Sequence, residues 1–287
     1  MASCARSGET LMLRMLAAHP EIHVPFDLQA ENGPEERAAQ TFLMQCTETE
    51  LARDHPALGG RVPPEARLLL VKQGVWEHPA PFHGFVLARN PVAVIASLLD
   101  YDARRPPTDT LFPEVVTGLG GRAKRLLRRL RPRQQMTRHE DPGWERLLRW
   151  QDAIDPGLTP FLNEMPYTDA LCAFYTRRMA PLVGLGLPVV CYERLVTEPE
   201  REMADLLDHL GLDMVPEVLG SHTRYARGSV GHGKIDLSRP VSTASLDAWR
   251  GRIDRATFHR IAGLTYPAWS ALGYRLSWEE IRPPPRP

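Results

Sequence analysis

Along the chain, short apolar runs alternate with longer stretches in which apolar residues recur at helical spacing. That alternation predicts an α/β protein built on a parallel sheet. The runs expected as strands are 2–5, 22–25, 68–71, 84–88 and 187–192, which makes a central sheet of about five strands flanked by helices. The first run is short because the chain begins almost on the loop that follows; either that strand is stubby or translation starts upstream. Helices are expected over 10–18, stopped by Pro20, and over 91–99, where Pro91 opens the first turn. A third is expected over 198–210 with Gly211 behind it, and others over 142–153, 169–183 and 255–272.

Two stretches break this rhythm. Residues 103–166 read as a helical insertion outside the sheet, within a single domain spanning 1–275. The insertion carries "GGRAKRLLRRLRPRQ", in which Leu126, Leu127 and Leu130 form a narrow apolar stripe beside Arg122, Lys124, Arg125, Arg128, Arg129, Arg131 and Arg133. Such a segment is either a solvated helix face or a positive rim that draws an anionic acceptor or lipid headgroups. The end of the chain, 276–287, closes on "RPPPRP" and is expected to be a disordered polyproline tail.

Composition narrows the class. With 43% hydrophobic and 24% charged residues, the 287-residue chain reads as a soluble globular protein. Basic and acidic side chains number 35 each, so the whole chain is not a nucleic-acid binder. Cys4, Cys46, Cys172 and Cys191 have neither C-x-x-C spacing nor a histidine pair nearby, which argues against a metal site and fits a reducing cytoplasm. No apolar stretch reaches 18 residues, so no transmembrane segment is expected.

The chemistry concentrates in "ARSGETL". Against the nucleotide-binding pattern G-x-x-x-x-G-K-[ST], this loop keeps Gly8 and Thr10 but places Glu9 at the lysine position. Further on, "RNPVAVIAS" sets Arg89 at a strand end and Ser97 eight residues later, about two turns into the next helix. "YERLV" follows the last strand with Tyr192, and Lys234, Trp249 and Arg250 lie near the C-terminus.

Taken together, these segments resemble the PAPS-dependent sulfotransferases, with the tyrosylprotein and glycan branch nearest. Those enzymes move a sulfuryl group from 3′-phosphoadenosine 5′-phosphosulfate to a hydroxyl. The loop is similar to the family's 5′-phosphosulfate loop R-S-G-T-T-L, "RNPVAVIAS" to its 3′-phosphate motif, and "YERLV" to its Y-E-x-L-x segment. The resemblance covers roughly 1–30, 68–101 and 186–275, and implies a P-loop-type three-layer fold.

It also implies roles. The backbone of Ser7, Gly8, Glu9 and Thr10 would cradle the 5′-phosphosulfate at a helix N-terminus, and Arg6 would stabilise charge on the transferring group. Arg89 and Ser97 would hold the 3′-phosphate, Tyr192 would flank the adenosine, and Lys234 and Arg250 would close over the 3′-phosphate. No metal is implied.

The acceptor hydroxyl needs a base, and the residue at the branch's base position is Asp27; Glu31, His23 and His78 stand in reserve. Lys72 would reach the bridging oxygen or orient the acceptor. The steroid and phenol branch carries a histidine two residues past that lysine, where this chain has Gly74. Lys72 precedes Arg89 by only 17 residues, so the acceptor side departs from the family.

Two other readings compete. A P-loop kinase needs the loop lysine and a strand-end aspartate for Mg²⁺; Glu9 replaces the first and the second is not found. A catalytically inactive nucleotide-binding relative is the reading that Glu9 favours, since an uncompensated carboxylate about 4 Å from a phosphate costs about 4 kcal/mol at an effective dielectric of about 20. The carboxylate is therefore expected to turn away from the ligand, toward Arg14 or another nearby cation.

Overall fold

Three parallel strands organise the protein, and their partners lie far apart in sequence. The computed structural model describes residues 1–25, 28, 62–70, 84–104, 142–162, 164–231 and 235–286. In chain order, β1 (Ala2–Ser3) leads through a tight loop into α1 (Glu9–Leu16), and β2 (Ile22–His23) and β3 (Leu68–Leu69) follow. Then come β4 (Val86–Ala88), α2 (Pro91–Arg104), α3 (Pro142–Ile154), the single turn α4 (Thr159–Leu162) and α5 (Tyr167–Val183). β5 (Val189–Cys191) runs directly into α6 (Tyr192–Thr197) and α7 (Pro199–His209), followed by α8 (Pro216–Leu219). The hairpin β6 (Val230–Gly231) and β7 (Ile235–Asp236), the helices α9 (Arg255–Leu264) and α10 (Tyr266–Ala271), and the pair β8 (Arg275–Leu276) and β9 (Ile281–Arg282) complete the described chain.

β4 lies between β1 and β5, with Ala2 opposite Val86, and Leu87 opposite both Ser3 and Val190. All three run parallel, so the loops after β1, β4 and β5 leave from one edge of the sheet. Side chains alternate between faces along a strand, and the core follows that alternation. Ala2, Val86, Ala88 and Cys191 pack with Val92, Ile95, Leu147, Leu171, Phe174 and Phe258 from α2, α3, α5 and α9. Phe85, Leu87 and Val190 pack instead with Met12, Leu16, Met203 and Leu206 from α1 and α7. The sheet therefore carries helices on both faces, the usual solution for parallel strands buried on both sides.

Several expectations need correction. Each of the five expected strands forms, but not as one sheet: β2 and β3 make a separate parallel pair, with Ile22 opposite Leu68. Ile22 and Leu70 are buried on the α1 side of the core. A short apolar run specifies burial, while the choice of pairing partner is made by tertiary packing. The fifth strand stops at Cys191 rather than 192, because Tyr192 and Glu193 already open α6.

The supposed tail is docked. β9 pairs antiparallel with β8, Arg194 Nη1 donates to the Pro284 carbonyl at 2.7 Å, and Arg286 bridges Asp205 and Glu198. Prolines lack an N–H but keep their carbonyls, and Arg194 uses one of them. Composition alone suggests disorder for that segment, and these contacts override it. The described part of the 103–166 segment is helical and packs inward: Trp144, Leu147 and Leu162 lie in the main core. The basic run at 122–133 lies outside the described residues. The expected helix over 255–272 divides at Thr265, whose hydroxyl donates to the Ile261 carbonyl at 2.7 Å.

Candidate functional site

The turn after β1 takes a conformation that most side chains avoid. Arg6 has φ 72° and Gly8 φ 103°, both left-handed, and the Ser7 N–H returns to the Cys4 carbonyl at 3.2 Å. Gly8 then caps α1, whose first closing bond runs from the Met12 N–H to the Gly8 carbonyl at 3.1 Å. Glycine is required there twice over. A Cβ at Gly8 would lie 2.2 Å from Cδ2 of Tyr192, so the loop backbone rests directly on the tyrosine ring.

Around this loop, residues from four segments converge. Arg6 Nε donates to Ser97 Oγ at 3.1 Å, and its guanidinium lies 5.4 Å from the Tyr101 ring centre. Burial holds Arg6 below the ordinary arginine value, with the charge of Glu9 opposing that shift. Arg89 donates to the Arg6 carbonyl at 3.2 Å and to the Ser245 carbonyl at 3.1 Å, and stacks 4.2 Å over Tyr192. Tyr192 shares a 2.7 Å hydrogen bond with Ser245 Oγ. The Ser7 hydroxyl is fully buried and has no hydrogen-bond partner among the described residues, while Thr10 is buried in the first turn of α1.

The turn after β4 is clamped from behind. Tyr175 donates its hydroxyl to the Arg89 carbonyl at 2.8 Å. Glu193 Oε1 accepts from the Asn90 N–H at 3.0 Å and from Asn90 Nδ2 at 2.7 Å, and its Oε2 accepts from the Tyr274 hydroxyl at 2.6 Å. Asn90 Oδ1 accepts from the Ala93 N–H at 2.8 Å, which caps α2. A second cation stands beyond Tyr101: Arg146 lies 5.2 Å from the same ring and is paired with Asp102, which also accepts from the Tyr167 hydroxyl.

Glu9 does turn back from its helix, but not toward Arg14. Its Oε1 accepts from Ser3 Oγ at 2.7 Å, and Arg14 donates instead to the carbonyls of Leu237 and Arg239 at 2.8 and 2.7 Å.

Of the residues singled out by sequence, the structure brings together Arg6, Ser7, Gly8, Glu9, Thr10, Arg89, Ser97 and Tyr192. Ser97 reaches Arg6 rather than Arg89. Arg250 is engaged elsewhere: it stacks 4.4 Å over Trp249 and donates to the carbonyls of Trp278 and Glu279. Asp27, Lys72 and Lys234, with the reserve bases Glu31 and His78, lie outside the described residues; His23 lies on β2.

Sequence reading missed Tyr101, Ser245, Tyr175 and Glu193. Tyr101 carried a signal, because it follows Ser97 by four residues and so shares its helix face. Glu193 stood inside the quoted "YERLV". Ser245 and Tyr175 arrive through tertiary packing and leave no local trace.

No protein-family model matches the chain. Among the described residues, no helix is long and apolar enough to cross a membrane.

Proposed function

We propose that the protein is a PAPS-dependent sulfotransferase on a P-loop-type three-layer fold, acting on a hydroxyl-bearing acceptor. The observation that carries this reading is the convergence of Arg6, Arg89, Ser97 and Tyr192 on the Gly8 loop, at the carboxyl edge of a parallel sheet where ligands of such sheets bind. The buried Ser7 hydroxyl, which has no partner among the described residues, fits an oxygen-rich anion there, as do the first-turn amides of α1.

In this reading the loop amides and Ser7 hold the 5′-phosphosulfate. Arg89 presents its remaining N–H groups to the 3′-phosphate, with Tyr192 as the surface on which it is stacked. The acceptor oxygen attacks sulfur as the bond from sulfur to the bridging phosphate oxygen breaks. The bisphosphate leaves, and the hydroxyl proton passes to a base, for which Asp27 is proposed on sequence grounds alone. Arg6, held by Ser97, faces the charge that grows on the bridging oxygen. Such a preorganised donor is worth about 3–4 kcal/mol in the transition state. Lys72 is the second proposed cation on the acceptor side, and Lys234 the proposed closure over the 3′-phosphate.

Cys4, Cys172 and Cys191 are free and buried, and a cytoplasmic location is part of the proposal. Incubation of the protein with PAPS and a cell extract tests the reaction: a product heavier by one SO3 group supports it. Consumption of PAPS with release of free sulfate alone, across hydroxyl acceptors of every class, contradicts it.

A further inference from the structure

Beneath the loop lies a cation that the motif does not include. Arg178 of α5 is only 3% exposed, and its Nε donates to the Ser3 carbonyl at 2.8 Å. The hydroxyl of the same Ser3 donates to Glu9 Oε1 at 2.7 Å. One buried residue of β1 therefore ties a buried guanidinium to the carboxylate in the anion loop. The charge of Glu9 acts on Arg178 as well as on Arg6 and Cys4, so the groups share one electrostatic neighbourhood.

Both partners need the arrangement. A buried guanidinium is costly without a countercharge. A carboxylate in the first turn of α1 is favoured by the helix dipole, yet it opposes any anion held by the same turn. Drawing Glu9 back onto Ser3, within the field of Arg178, meets both demands.

Resting on the reading of the Gly8 loop as the phosphosulfate site, we propose that Arg178 and Ser3 are positioning residues that hold and neutralise Glu9, so that an anion binds a loop carrying a carboxylate. Glu9 then acts as the countercharge of Arg178 rather than as a defect in the motif. Restoring the family's threonine removes that countercharge, so stability falls while affinity does not.

The test uses the wild-type protein, Glu9→Thr, Arg178→Met and the double variant, with Ser3→Ala made alone and with Glu9→Thr as a milder pair. Affinity for 3′-phosphoadenosine 5′-phosphate is measured by calorimetry, and thermal midpoints are measured without ligand. Arg178→Met is expected to weaken the bisphosphate by about tenfold or more when Glu9 is present, and by under about threefold in the Glu9→Thr background. Ser3→Ala follows the same pattern with a smaller loss. In the ligand-free protein Glu9→Thr and Arg178→Met each lower the midpoint, and the double variant lowers it by less than their sum.

Equal losses in both backgrounds, or additive midpoints, overturn the proposal. If Arg178→Met does not fold, the Ser3→Ala pair decides in its place by the same criterion. If the wild-type protein does not bind the bisphosphate, the phosphosulfate reading falls, and the ligand-free midpoints alone decide whether the Arg178–Ser3–Glu9 relay exists.

Discussion

Arg6 Nε donates to Ser97 Oγ at 3.1 Å across 91 residues of sequence, joining the loop after β1 to the helix after β4. The bond fixes where the guanidinium points, so in the proposed sulfotransferase its loss is expected to act on the chemical step. Ser97→Ala should lower kcat by about tenfold while bisphosphate affinity stays within about threefold, and Arg6→Ala should lower kcat by about 10²–10³-fold. Steady-state kinetics beside calorimetry separates the two effects. A loss of affinity with unchanged kcat would place Ser97 on the 3′-phosphate directly.

Gly8 is held between a left-handed backbone and the Tyr192 ring. An alanine there meets a penalty of about 1–2 kcal/mol for its φ alone, and its Cβ would lie only 2.2 Å from a carbon of a ring pinned by Arg89 and Ser245. Gly8→Ala should lower the thermal midpoint by several degrees and abolish bisphosphate binding. A variant that melts and binds like the wild type would show that the loop does not rest on Tyr192.

Glu193 is a buried carboxylate satisfied by Asn90 and Tyr274. Hydrogen bonds to a charged group contribute about 1.5–3 kcal/mol each. Glu193→Ala should therefore cost about 2–4 kcal/mol in chemical denaturation and speed hydrogen exchange at the Asn90 amide. Glu193→Gln, which keeps an oxygen toward Asn90, should leave that amide protected. Equal exchange in both variants would remove Glu193 from the clamp.

The thiols give a pH test. Burial pushes Cys4, Cys172 and Cys191 up to about 12, from an ordinary value of 9.0. A raised value means that folding favours the protonated thiol. That contribution is complete below pH 9 and is lost as pH rises toward 12. In the native protein at about pH 8, below the ordinary thiol value, a disulfide reagent should leave all three unlabelled, and denaturant should expose them. Rapid native labelling of Cys4 would contradict its burial under the loop.

Much of this site was legible because its residues belong to segments with local physical meaning. Gly8 keeps a glycine of the nucleotide-binding pattern, Pro91 opens a helix behind a strand-end arginine, and the apolar run 84–88 marks a strand. What escaped depends on contacts between distant segments. The same apolar character places Ile22 in a separate pair with Leu68 rather than in the main sheet, and nothing near Arg178 marks it as the cation below Ser3. The C-terminal segment was misread for a related reason. Pro284 and Arg286 have no periodicity, yet the buried pair of Arg194 and Glu202 offers a donor to the first and a carboxylate to the second.

Calorimetry with 3′-phosphoadenosine 5′-phosphate in the absence of Mg²⁺ is the sharpest test of the sulfotransferase reading. Removing the Arg89 fork is expected to cost about 2–4 kcal/mol, or roughly 30- to 1,000-fold in affinity. The wild-type protein should bind the bisphosphate, and Arg89→Ala should bind it at least about 30-fold more weakly. Binding of ATP with Mg²⁺ and not of the bisphosphate would refute the reading.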